Sequence, residues 1–116
     1  MAEFMMIICE DERTRAKRSQ AEIEETMAKI GAWWGEHAQS GKITGGHRLQ
    51  PADTAKTVHL ENGSGTFVTD GPFVESKEVV GGYGILSVPD LKAAVELAKT
   101  WPGAGMKIEI RPIMEM

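Results

Sequence analysis

The pattern of apolar and polar positions changes period several times along the chain, and each change marks an element. "EFMMIICE", Glu3 to Glu10, holds six apolar residues between charged ones, too short a run for a helix and right for a buried strand. "DERTRAKR" follows as a charged connection. Ser19 with Glu22 three positions on is a capping-box signature, and Ile23, Met27, Ile30, Trp34 and Ala38 then recur at helical spacing. This predicts a helix to about Ser40, stopped by Gly41. "KITGGHRLQP" reads as a strand that ends at Pro51, and "KTVHLEN" and "GTFVT" flank the turn signal "NGSG" as a hairpin. "VVGGYGILSV" is a glycine-containing strand. "PDLKAAVELAKTWPG" predicts a second helix, with Asp90 as N-cap, Leu91, Ala94, Val95, Ala98 and Trp101 on one face, and Pro102 and Gly103 as its end. In "MKIEIRPI", Met106, Ile108 and Ile110 alternate with Lys107, Glu109 and Arg111, a last strand with one polar face.

The order β-α-β-(hairpin)-β-α-β predicts an α+β fold, a ferredoxin-like split βαβ with an extra hairpin and both helices on one face of the sheet. The first strand is apolar on both faces: Phe4, Met6 and Ile8 point one way and Met5, Ile7 and Cys9 the other. A sheet face of that kind is poorly suited to water. The least demanding cover for it is a second copy of the chain, which predicts a two-fold homodimer with a space between two sheets. Apolar walls with the polar groups of the last strand beside them describe a small-molecule pocket of roughly 300–1,000 Å³.

Composition narrows the picture. The chain has 116 residues, enough for one domain over 1–116. With 41% hydrophobic and 26% charged residues it has the balance of a globular protein, not of a disordered one. The formal net charge is −4, and apart from Arg13, Arg15, Lys17 and Arg18 the basic residues are scattered, which argues against direct nucleic-acid binding. The single cysteine excludes an internal disulfide. Cys9 lies in an apolar run and reads as packing, and a reducing cytoplasmic location is expected. The first residues have neither a basic leader nor a membrane-length apolar run, so no membrane association is expected. No His/Cys cluster has metal-ligand spacing, and "GGYG" lies in a strand pattern without the Lys-Ser/Thr of a phosphate loop, so no metal or other cofactor is predicted.

"LQP" at 49–51, "TDGPFVESKE" at 69–78, "GGYGILSVPDL" at 81–91 and "IEIRP" at 108–112 carry a resemblance to the DGPF family of YCII-related proteins. The resemblance implies a dimeric α/β barrel. It implies a possible enzymatic role through relatives in the wider superfamily with a His and Asp pair. It also implies a link to transcription initiation through members fused to sigma factors. No substrate comes with it. A helix-borne histidine of such a pair could here only be His37, which has no obvious Asp partner in the sequence.

The residues of the motif admit two readings. Asp70, Gly71 and Pro72 make a well-formed turn with Phe73 as its anchor. The same turn could hold Asp70 as a base, with Glu75 and Lys77 offering charge to a ligand. His47, beside two glycines and on the face of Ile43 and Leu49, is either a packed strand residue or the titrating partner of Asp70. Tyr83 offers a phenol, or fills space between glycines. Arg111 is an anion clamp, or an internal partner of Glu109. His59, between Val58 and Leu60, is expected to face solvent. Two functions follow: a homodimer that binds a small polar or anionic molecule between its sheets, with acid/base chemistry by Asp70 and His47, or a non-catalytic module with a sigma-factor partner.

Overall fold

The computed structural model describes residues 1–60, 65–72 and 78–115. Strand β1 (Ala2–Asp11) leads into a short helix α1 (Glu12–Ala16) and a long one, α2 (Gln20–Gln39). Then come β2 (Ile43–Arg48), a 3-10 turn (Ala52–Thr54), β3 (Lys56–Leu60), β4 (Thr66–Asp70), β5 (Glu78–Val88), α3 (Leu91–Ala98) and β6 (Lys107–Pro112). Four strands form one antiparallel sheet in the order β2-β5-β1-β6, while β3 and β4 form a separate two-stranded ribbon. That order, with each βαβ unit split by an intervening strand, is consistent with a ferredoxin-like α+β fold.

The ends of α2 follow from the local chemistry already visible in the chain. Ser19 accepts the Glu22 amide at 3.1 Å, and its hydroxyl meets the Glu22 carboxylate at 3.1 Å. At the other end the Gly41 amide donates to Ala38 and the Lys42 amide to His37, the paired bonds of a Schellman stop. Gly41 sits at φ +82°, a conformation that costs a side chain dearly and glycine little. Asp90 caps α3 by accepting the Ala93 amide at 2.8 Å. The connection "DERTRAKR" contains a helix of its own. Asp11 accepts the Arg13 amide at 2.8 Å, and this cap organises α1 where no apolar period announces it.

The core lies between the sheet and the helices. Phe4, Met6 and Ile8 of β1, Ile43 of β2, and Leu86 and Val88 of β5 meet Trp33 of α2 and Ala94 and Leu97 of α3. Met6 and Leu86 are completely buried, a burial that contributes about 1.5–3 kcal/mol each. Trp33, not Ala38, is the buried residue of α2: its indole Nε1 donates to Thr100 Oγ1 at 2.7 Å and its ring stands edge-on to Trp101 at 5.0 Å. On α3 the buried positions are Ala94 and Leu97, while Leu91 and Val95 point to solvent. Apolar residues occur on several sides of that helix, and contact with the sheet chooses among them.

Two bulges change which face a side chain takes. Ile43 pairs with Leu86 but Gly45 pairs with Ile85, so Thr44 is the extra residue. Beyond it the alternation inverts. His47 comes opposite Tyr83, on the face away from the helices and not on that of Ile43. A second shift, between Ile8 and Cys9, leaves Gly81 without a partner in the β1–β5 ladder.

Candidate functional site

In its C-terminal half, α2 rests on the sheet through Trp34. Gly46 and Gly84 present bare backbone to that indole: a Cβ on Gly46 would stand 2.6 Å from its Cη2 atom and one on Gly84 would stand 3.0 Å from it. Gly46 is at φ +142°, so both its conformation and its neighbour require glycine. The indole is a wide spacer. Toward the start of α2, Ile23, Met27 and Ile30 point at the sheet but remain only half-buried. They roof a cavity of about 530 Å³. Its floor is Ile8, Gly81 and Gly82, the segment Gly46 to Leu49 forms one side, and Trp101 and Met106 form the other.

The remaining lining is charged. Glu10 at the end of β1 and Arg18 before α2 form a half-buried ion pair, and Arg18 also donates from Nη2 to the Ala104 carbonyl at 2.9 Å. The two charges of that pair cancel. Arg15 on α1 and Arg48 at the end of β2 line the same cavity, and neither has a carboxylate partner among the described residues. The cavity is therefore apolar in its body and positive at its rim, an arrangement suited to an apolar molecule with an anionic group. Only the clustering of Arg13, Arg15, Lys17 and Arg18 hinted at this from the sequence. No group of His, Cys, Asp and Glu among the described residues could hold a metal ion.

The residues singled out from the sequence lie elsewhere, with one exception. His47 belongs to the segment that lines the cavity, and its ring stands 6.0 Å from that of Tyr83, edge to face. Strand pairing aligns His47, Tyr83, Ile7 and Glu109 in one row across the open face of the sheet, and Gly45, Ile85, Met5 and Arg111 in the next. Tyr83 and Arg111 thus share a face with His47. The row from His47 to Glu109 crosses three strand spacings, roughly 14 Å. Arg111 is exposed and donates from Nη2 to Glu109 at 2.6 Å, the internal pairing anticipated for it.

Asp70 ends β4 on the ribbon. It is exposed and accepts a hydrogen bond from Lys56, its cross-strand neighbour. Gly71 takes φ +88°, its amide donates to the Ala55 carbonyl at 2.8 Å, and its own carbonyl accepts from Thr57 Oγ1 at 2.7 Å. These bonds make the start of the motif a tied turn. Phe73, Glu75 and Lys77 lie outside the described residues. His59 is half-buried against Phe67, with rings stacked at 4.3 Å, while Val58 and Leu60 beside it are exposed, the reverse of the expected arrangement.

Cys9 falls on the open face and not in the core. Burial raises its pKa, the carboxylates of Glu78 and Glu109 raise it further, and Lys107 opposes them. The thiol is held in its protonated, poorly nucleophilic form. No described helix is long and apolar enough to cross a membrane.

Sheet order, one-sided helical cover and a cavity beneath the long helix are those of a small α+β protein, consistent with a ferredoxin-like arrangement. The YCII-related domain family matches residues 3–116, and the chain belongs to that family. It is also similar to an uncharacterized protein of Rhizobium meliloti (strain 1021), with 30% identity over 113 residues that cover 95% of this chain and 90% of the relative.

Proposed function

We propose that the protein binds a small molecule with an apolar body in the cavity between α2 and the sheet. One observation carries this reading. Ile23, Met27 and Ile30 form the apolar stripe of α2, yet they face open space of about 530 Å³, within the range of small-ligand pockets. Leaving such a stripe out of contact forgoes dispersion and burial that a closed core would have, and a ligand supplies them. The site lies on the helix side of the sheet, whereas the pattern of the first strand had pointed to the other side.

The open face has a separate role in this reading. Met5, Ile7 and Ile85 are apolar and only half-buried there. A second copy of the chain covers them, giving a homodimer, and the row from His47 through Tyr83 is then enclosed between two sheets, where an acid/base step by His47 would belong. Light scattering should give a mass twice the 12.7 kDa of one chain.

Titration with a neutral solvatochromic dye tests the cavity. Wild type should give a saturable blue-shifted emission, and Ile30→Trp, which places an indole in the space, should lose it while keeping the far-ultraviolet dichroism of the fold. Equal dye binding by both proteins would place the site elsewhere.

A further inference from the structure

We propose that the cavity is specific for an aromatic carboxylic acid and that Arg15 recognises its carboxylate. This rests on the reading of the cavity as a binding site and adds the class of ligand. Arg13, Arg18 and Arg111 each have a carboxylate partner, in Asp11, Glu10 and Glu109. Arg15 has none among the described residues, although it is half-buried at the cavity wall. A guanidinium removed from part of its water without a counter-charge is destabilised, and an anion arriving in the cavity reverses that. Glu10 does not compete for it, because Arg18 already holds that carboxylate. Arg48 also lacks a partner, but it is exposed and can remain hydrated.

The geometry favours a carboxylate over a dianion. One planar fork matches the two oxygens of a carboxylate. A phosphate monoester would bring a second charge to a wall where Arg18 is already engaged with Glu10 and the Ala104 carbonyl and where the other unpartnered cation, Arg48, is exposed to solvent. The body of the ligand is set by its neighbours: the indoles of Trp34 and Trp101 and the thioethers of Met27 and Met106 line the cavity, and all four make favourable contacts with a flat aromatic ring.

The test compares 2-naphthoate, its uncharged isostere 2-naphthamide and 2-naphthyl phosphate by calorimetric titration of the full chain, in wild type, Arg15→Gln and Arg15→Lys. Hydrogen bonds to a charged group are worth about 1.5–3 kcal/mol, so the acid should bind wild type about ten- to a hundred-fold more tightly than the amide. Arg15→Gln should abolish that preference by weakening the acid far more than the amide, and Arg15→Lys should keep part of it. The proposal is overturned if acid and amide bind wild type equally, if the preference survives Arg15→Gln, or if the phosphate ester binds more tightly than the acid. In those cases saturable binding of the neutral dye would leave the cavity reading standing. Absence of dye binding removes both.

Discussion

Substitution of Gly31 by alanine should stabilise the protein, which is an unusual outcome for a residue on the wall of a cavity. Gly31 lies in the interior of α2, where glycine costs about 0.5–1 kcal/mol relative to alanine through its backbone freedom in the unfolded chain. Nothing in the folded chain requires glycine there: beyond the adjoining residues and backbone of α2 itself, a Cβ would meet no described atom within 4 Å, and the residue has ordinary helical dihedrals. The gain of about 0.4–1 kcal/mol is therefore not offset by a clash. For a chain of this length it corresponds to a rise of about 2–5 °C in Tm, measurable by scanning calorimetry. Gly84→Ala is the matched contrast, because its Cβ would stand 3.0 Å from Trp34 and 3.2 Å from Met6. It should lower stability by about 1–3 kcal/mol through overpacking. A fall in Tm for Gly31→Ala would refute the reasoning, since it would mean that some group packs against that part of α2 in solution.

Two further expectations concern titration. The Asp11 carboxyl is held below its ordinary pKa, first by the side-chain hydrogen bond from Arg13 and then by the Arg13 amide. Its stabilisation of α1 is thus present above the unfolded value of about 3.9 and is lost as pH falls through the lowered folded value. Amide protection in residues 12–16, referred to the intrinsic exchange rate at each pH, should fall over that acidic range, and in Asp11→Asn the part of this fall due to Asp11 should vanish; an unchanged profile would remove Asp11 as its cause. Cys9, with its thiol pKa raised, should react with iodoacetamide at pH 8 several-fold more slowly in the native protein than in denaturant. Equal rates would show a thiol less shielded than its place beside Glu78 and Glu109 implies.

Elements with a local cause were legible in the sequence, and features set by distance between elements were not. Ser19, Glu22, Gly41 and Asp90 fixed helix ends because capping bonds span three or four residues. The alternation of Phe4, Met6 and Ile8 with Met5, Ile7 and Cys9 showed two apolar faces because a strand's period is two. The apolar stripe of α2 revealed which side faces the sheet, but not that Trp34 holds its first half away from it. That separation depends on an indole from one element and bare glycines from two others. Simple alternation places His47 on the face of Ile43, since a single extra residue at Thr44 leaves no mark in the pattern yet inverts everything beyond it. The role of Arg15 is not legible in the sequence, because its meaning lies in lacking a partner, which only the neighbouring pair Arg18 and Glu10 makes visible.

The ribbon of β3 and β4 is joined at its base by the bond from the Gly71 amide to the Ala55 carbonyl, so the two points where the chain leaves and rejoins lie 2.8 Å apart. The four-stranded sheet pairs without it. The stretch between these points is thus a removable appendix in the architectural sense. It can lengthen, shorten or exchange sequence at a loop-closure cost of only about 0.6 kcal/mol per doubling, while the sheet and the helices keep their places. Variation between related chains has a natural place to accumulate in the part of this segment that precedes the motif residues Thr69 and Asp70, and so does an engineered tag or label.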